Sequence, residues 1–432
     1  VIFFDRVNDY NPFYEHLGPI VTTNPCGEVL LYPNEPCNLG SINVWSFAKE
    51  DADGNVYYDW NGLKEAVHKC TRLLDNVIDI NKFPLKAIEE MSLNTRKIGL
   101  GVMGLGDLLY ELRLPYNTDE GRKFMEKLMQ FIAYYSKLES IYLARKRGNL
   151  PYYNKSFYKD GRLPFSGFEL KDEWDFDWEK VSNDIKRYGI RNGYDTIIAP
   201  TGSISMIAGC SSGMEPVYSL AFEKNVKVGS FYYVDPAFER ALKKEGLSTD
   251  ELMEEICDNK GSVQGLASFP EELQKVFVTA LNITPEDHIY ALASFQKWVD
   301  SSISKTNNFP ADATIEHMRD SYILAYKLGC KDVTVFRDTS IKDQVLVAPK
   351  KKEVKVEANA AATAMQAIHH ESSIATGNGI DNGFAEKEME SGDLLTKTTG
   401  KAKHKICPEC GAETQIQEGC VSCKGCGWAL CK

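Results

Sequence analysis

The residues best suited to chemistry lie close together near the start of the chain. Thr23-Asn24-Pro25-Cys26-Gly27-Glu28 is followed, eleven residues past its cysteine, by Cys37-Asn38-Leu39-Gly40-Ser41. Pro25 lacks a backbone donor and has a fixed φ, while Gly27 tolerates conformations closed to other residues. That combination predicts a tight turn with Cys26 at its tip. Glu28 would act as a general base if a substrate hydroxyl came within hydrogen-bond reach. Asn24 offers the same substrate a donor and an acceptor. A Pro-Gly turn beside two buried cysteines has the same composition, and residue types alone leave both readings open.

A second group lies farther along. Tyr194-Asp195-Thr196-Ile197-Ile198-Ala199 is a short β-rich run that leads into Pro200-Thr201-Gly202-Ser203-Ile204-Ser205. A strand ending in a hydroxyl-rich turn with glycine can present backbone N–H groups and hydroxyls to an anion. An ordinary strand-to-helix turn would look similar. Ile98-Gly99-Leu100-Gly101-Val102-Met103-Gly104 matches the dinucleotide pattern G-x-G-x-x-G. That pattern needs a strand before it, and Ser92 to Lys97 is polar. We read these glycines as structural, allowing a helix to approach its neighbours closely.

The third group is at the end. Six of the twelve cysteines fall between Cys407 and Cys431. Two C-x-x-C knuckles can supply four thiolates in a tetrahedron, which predicts structural zinc. Cys407, Cys410, Cys420 and Cys423 form one ligand set and leave Cys426 and Cys431 as a C-x4-C pair. The rival set is Cys407, Cys410, Cys423 and Cys426, because Cys410 and Cys426 each precede a glycine. We favour the first, because the leftover pair then has a role.

These groups need a scaffold. Apolar residues at helical spacing predict a helix from Leu63 to Asn81 and another from Phe124 to Arg147, stopped by Gly148. Cys70 falls on the first of these as a small buried side chain, and Cys210 reads as structural. Residues 151–180 read as an irregular surface loop, and 235–295 as helices with acidic surfaces. Thr314 to Leu328 is an amphipathic helix, and Asp332 to Arg337 a last strand. Val/Ile-rich strands alternating with helices indicate an α/β fold with a largely parallel sheet.

Composition sets outer limits. The chain has 432 residues, 43% hydrophobic and 26% charged, with a net charge of −11. The acidic balance argues against a broad nucleic-acid-binding surface. No run of about 18 or more apolar residues suggests a membrane span. Clustered C-x-x-C spacing points to metal or redox chemistry in a reducing, cytoplasmic setting. Between about Ala348 and Lys403 the composition turns to Lys, Ala, Ser, Gly, Asn and Glu. Such a segment cannot bury enough apolar surface to offset its ordering entropy. As a flexible linker it would span on the order of 40 Å. The expected division is therefore 1–347 globular, 348–403 linker and 404–432 cysteine-rich tail.

Asn24-Pro25-Cys26-Gly27-Glu28 followed by Pro36-Cys37-Asn38-Leu39-Gly40-Ser41-Ile42-Asn43 resembles the finger loop of the ribonucleotide reductase catalytic subunit. With Gly after the cysteine, it is most similar to the adenosylcobalamin-dependent class. The resemblance implies that Cys26 carries a thiyl radical and takes the 3′ hydrogen of a ribonucleotide. It makes Glu28 the base on the 3′-hydroxyl, Asn24 the orienting amide and Cys37 half of the reducing dithiol. Ala199 to Ser205 resembles the family's phosphate loop, which would assign substrate phosphates to Thr201, Gly202, Ser203 and Ser205. Gly209 to Pro216 fits the rim of the same mouth, and Gln296 to Asn307 resembles a segment near the end of the barrel. The fold implied is the second half of a ten-stranded α/β barrel with a central finger loop, plus a small C-terminal zinc ribbon.

Further expectations follow from the resemblance. Cys426 and Cys431 match a swinging dithiol that restores Cys37 and its partner, and that a thioredoxin- or glutaredoxin-type protein then reduces. Val1 falls inside what looks like an element, so we read the chain as the C-terminal portion of a longer protein, inactive alone. The remainder would hold the partner of Cys37 and the region that binds dNTP effectors, and the assembly would be a homodimer. Other readings exist. Anaerobic glycyl-radical reductases also end in a four-cysteine zinc tail, and Gly427 could be taken for their radical glycine. A reductase with a metal-based radical subunit usually lacks such a ribbon. A zinc-ribbon nucleic-acid-binding protein is the reading from another class, supported by Lys401, Lys403, His404 and Lys405 but not by the acidic chain.

Overall fold

The computed structural model describes residues 1–340 apart from 37, 227, 228 and 339, and the tail strands 414–417, 420–423 and 429–431. The chain divides into two compact units, Val1–Lys352 and Glu353–Lys432.

Parallel strand pairing organises the first unit. Leu39–Asn43 pairs in parallel with Gly99–Met103. The other edge of Gly99–Met103 meets the run 194–198. Ile98 N–H donates to Tyr194 O at 2.9 Å, Leu100 N–H to Asp195 O at 2.8 Å, and Ile197 N–H returns to Leu100 O at 3.1 Å. Ile198 bridges in parallel to Ile303. Thr306–Phe309 pairs in parallel with Thr334–Arg337. Five passes of the chain thus run side by side in one direction, with helices between them, as parallel connections require. Among the described residues these passes form no closed barrel.

The glycines of the G-x-G-x-x-G stretch lie in a strand. Side chains at Gly99 and Gly101 would point at the neighbouring run, where a Cβ would strike Ile197. They therefore allow close approach of a strand rather than the helix contact expected from the sequence. The polar residues before them end a helix, Lys86–Thr95, and Arg96 turns the chain with φ 46°.

Two long helices brace this sheet. Trp60–Ile80 begins at the N-cap Asp59, whose carboxylate accepts the Gly62 N–H at 2.9 Å. Asp119–Arg147 begins at Thr118, has Asp119 and Glu120 in its first turn and three basic residues in its last, and ends at Gly148 with φ 90°. Both charge placements suit the helix dipole. The helix starts five residues before Phe124, because the Thr118 cap and not the apolar stripe sets its beginning. Ile315–Lys327 is closed by a capping box on Thr314 and His317.

Residues 151–177 are irregular, with short 3-10 turns, and the helix Trp178–Tyr188 follows, but several aromatic side chains of 151–180 face inward. Tyr158, Phe165 and Trp178 are fully buried. Trp178 stacks on Trp298 at 5.6 Å and 14°. The surface-loop expectation is corrected accordingly: irregular backbone does not imply an exposed segment when its aromatics can fill the core. A smaller core gathers Phe238, Leu252, Ile256 and Phe277.

In the second unit, Thr414–Gln417, Cys420–Cys423 and Ala429–Cys431 form an antiparallel sheet that sets Cys420 opposite Cys431. Cys407, Cys410 and Cys426 lie outside the described residues. Among the described residues no helix is long and apolar enough to cross a membrane.

Candidate active site

The Asn24–Glu28 stretch is the loop of a very short hairpin. Thr22–Thr23 pairs antiparallel with Leu30–Leu31. Inside the loop, Asn24 Oδ1 accepts the Val29 N–H at 2.9 Å and Asn24 O accepts the Gly27 N–H at 3.1 Å. Gly27 has φ 83°, the left-handed region that glycine enters without strain. A Cβ there would also strike the Asp332 carboxylate. The turn expected from Pro25 and Gly27 is present, with Cys26 exposed at its tip.

The two sides of this loop differ chemically. Loss of water around the thiol, and then the Glu28 carboxylate, hold Cys26 above its ordinary pKa. It is therefore a thiol and not a thiolate at neutral pH, which disfavours nucleophilic or metal-ligand roles. Glu28 is 2% exposed, and among the described residues its Oε2 has no hydrogen-bond partner. A buried carboxylate oxygen thus lies two residues from an exposed thiol. The Asn24 acceptor is already committed to the loop, so its amide N–H groups are the ones left for a ligand.

Ser301 and Ser302 carry the loop. Ser301 Oγ donates to Glu28 O at 2.9 Å and accepts the Leu30 N–H at 3.0 Å. Ser302 N–H donates to Glu28 O at 3.0 Å. The residue before them is fixed by a buried ion triad. Lys137 Nζ lies 2.6 Å from Asp300 and 3.0 Å from Asp195, all three without solvent exposure. Burial disfavours the Lys137 charge, but the two carboxylates outweigh it and raise its pKa. Burial pushes the Asp195 carboxyl up to about 7 against the pull of Lys137. Nothing in the residue pattern announces this triad, because Lys137 looks like one more residue of a long helix.

The second predicted group follows the 194–198 run at its C-terminal end, where ligands of parallel sheets bind. Thr201 has φ 55°, an uncommon state for a β-branched residue. Its Oγ1 accepts the Gly213 N–H at 2.7 Å. The short helix Gly202–Ala208 follows, and its first N–H groups have no intrahelical partner. Gly202 and Ser203 are exposed, whereas Ser205 is buried and its Oγ meets Ser212 Oγ at 2.9 Å. Thr201, Gly202 and Ser203 thus line one turn, and Ser205 braces it from behind.

The 209–216 segment is tied into the same sheet. Glu215 accepts the Thr306 N–H at 2.6 Å and the Lys305 ammonium at 2.8 Å. Burial raises the Cys210 thiol to about 12, which fits a structural cysteine. The two predicted groups share one neighbour: the 301–304 pass bonds Glu28 through Ser301 and Ser302, and bonds Ile198 through Ser302 and Ser304. Cys37 lies outside the described residues, but the flanking Asn38 donates to Leu74 O at 2.7 Å. Sequence reasoning singled out Gln296 to Asn307 without assigning its serines. Two hydroxyls directly after Trp298-Val299-Asp300 were the available signal.

Residues 1–336 match the family model described as "Ribonucleotide reductase, barrel domain". A "Vitamin B12-dependent ribonucleoside-diphosphate reductase" of Thermoplasma acidophilum is 42% identical over 82% of this chain and 43% of its own length. A protein of the same name from Mycobacterium tuberculosis is 38% identical over 81% of this chain and 46% of its own. A "Ribonucleoside-diphosphate reductase subunit alpha" of Chlamydia pneumoniae is 34% identical over 75% of this chain and 32% of its own. The chain spans less than half the length of each of these relatives. With its parallel strand passes and its cysteine-tipped loop, it belongs to the ribonucleotide reductase barrel-domain family.

Proposed function

We propose that the whole protein reduces ribonucleoside diphosphates to 2′-deoxyribonucleotides by a radical mechanism, with adenosylcobalamin as cofactor. The observation that carries this reading is the exposed, protonated Cys26 beside the buried, unpartnered Glu28 oxygen. The names of the relatives support both the substrate class and the cofactor. Within the family fold, residues 1–347 would be the second half of the ten-stranded barrel, 348–403 a linker and 404–432 a zinc and redox tail.

The exposed Cys26 Sγ fits a cofactor that must reach it, and no residue of this chain is assigned to hold the corrin ring. Adenosylcobalamin, when bound, supplies the unpaired electron that Cys26 would carry. Cys26 then takes the hydrogen atom from the 3′ carbon and returns it at the end. Glu28 accepts the 3′-hydroxyl proton, which positions it as general base. Asn24 N–H groups orient the sugar. Thr201, Gly202 and Ser203 hold the phosphates, with Ser205 bracing the turn. Cys37 and a second thiol deliver two electrons and two protons, so the 2′-hydroxyl leaves as water and a disulfide remains. Cys426 and Cys431 would reduce that disulfide by thiol exchange and be restored by a thioredoxin- or glutaredoxin-type protein. Effector binding and a dimer would belong to the whole protein.

The test is CDP reduction in air by the whole protein with adenosylcobalamin and dithiothreitol. Formation of dCDP supports the reading. A requirement for anaerobic conditions and an iron–sulfur activase would replace it with glycyl-radical chemistry. Zinc content before and after alkylation of Cys420 or Cys426 separates the two ligand sets.

A further inference from the structure

Lys331 stands where burial is hardest to explain. It is 2% exposed, and among the described residues its Nζ hydrogen-bonds to carbonyl oxygens alone, with the Tyr10 ring centroid 5.6 Å away. They are Asp300 O at 2.6 Å, Ser301 O at 3.1 Å, Pro164 O at 3.2 Å and Val299 O at 3.3 Å. The nearby Asp300 carboxylate accepts through Oδ2 from Lys137 and from the Asp195 and Thr196 N–H groups, while its buried Oδ1 has no hydrogen-bond partner among the described residues. Burial pulls the Lys331 pKa down to about 7. Burying an amine without a carboxylate partner is unfavourable, and an apolar side chain would fill the space more cheaply. What an apolar side chain cannot do is gather three successive carbonyls of one turn.

That turn is the support of the finger loop. Its outer edge holds Glu28 O and Leu30 N–H through Ser301 and Ser302. The next residue after Lys331, Asp332, lies against Gly27 on the loop itself. One short segment therefore braces both the turn and the tip.

We propose that Lys331 is a positioning residue for the finger loop. By collecting the carbonyls of residues 299–301 it fixes the turn that carries the Glu28 and Leu30 backbone, and so sets where Cys26 and Glu28 stand relative to the substrate. The kinetic half of this inference rests on the reductase reading; the structural half does not.

The experiment uses the whole protein as wild type, Lys331→Met and Ser301→Ala. Hydrogen exchange is followed for peptides covering residues 23–31 and for peptides from Asp119–Arg147. Lys331→Met and Ser301→Ala should each speed exchange at 23–31 by about tenfold and leave the helix unchanged. In CDP reduction, kcat should fall about 10- to 100-fold with KM unchanged, as misplaced reacting groups produce. Unchanged exchange at 23–31, or acceleration spread equally over the helix, overturns the proposal. So does an unchanged kcat in an active enzyme. If Lys331→Met does not fold, Lys331→Gln, a shorter donor that cannot gather all the carbonyls, decides by the same exchange readout. If the wild type reduces no CDP, the reductase reading fails and the exchange result alone decides the role of Lys331.

Discussion

The cysteine-tipped loop at 24–30 and the turn at 201–205 both rest on the 301–304 pass, but they are held in opposite ways. Asn24 to Leu30 is bonded to residues about 270 positions away, through Ser301 and Ser302. Thr201 to Ser205 is held by near neighbours, Ser212 and Gly213. The first buries Glu28 and exposes one thiol. The second exposes Gly202, Ser203 and Ile204. A group that must meet a single hydrogen atom gains from long-range bracing, because small misplacements cost large factors in rate. A group that binds an anion through backbone N–H donors needs those donors open to solvent.

Variants can sharpen this contrast. Glu28→Gln keeps the size of the side chain and removes its basicity. It should lower kcat for CDP reduction by about 10²- to 10⁴-fold with an unchanged circular dichroism spectrum. Gly27→Ala forces Ala into the left-handed region, at about 1–2 kcal/mol, and drives its Cβ into Asp332. A measurable fall in Tm together with lost activity is expected. An unchanged Tm would mean that the loop is less rigidly braced than its bonds imply. Across the comparison, Ser203→Ala should act mainly on KM, by a few-fold, with little effect on kcat or Tm, since its neighbourhood is open and locally held. A large loss of stability there would erase the distinction between the two loops.

The smallest effect concerns the thiol itself. A raised pKa leaves less thiolate at a given pH, so Cys26 should react with iodoacetamide at pH 8 more slowly than a free peptide thiol. The rate should keep rising as pH climbs past the ordinary thiol range. Glu28→Gln removes one cause of the shift and should bring the rate closer to that of the peptide.

The contrast also explains what could be read from residues alone. The Pro25-Cys26-Gly27 turn was legible because proline and glycine restrict or free φ locally. The helices at Trp60–Ile80 and Asp119–Arg147 were legible from their apolar rhythm, though the true start of the second depended on the Thr118 cap. The Gly99-Leu100-Gly101 strand was not legible, because its glycines answer to Ile197, almost a hundred residues away. The same holds for Lys137, Asp300, Ser301 and Lys331. Their roles depend on partners that only the parallel pairing brings together. The burial of Phe165 and Trp178 was not legible for a related reason, since the irregular turns before the helix Trp178–Tyr188 hide which face is inward.

In the proposed reaction Cys26, at the tip of the braced loop, carries the radical chemistry. Its most direct test is CDP reduction by the whole protein, with adenosylcobalamin and dithiothreitol, comparing wild type and Cys26→Ser. Serine keeps the shape of the exposed tip and cannot carry a thiyl radical, so a folded protein that forms no dCDP is expected. Full activity in Cys26→Ser would contradict it.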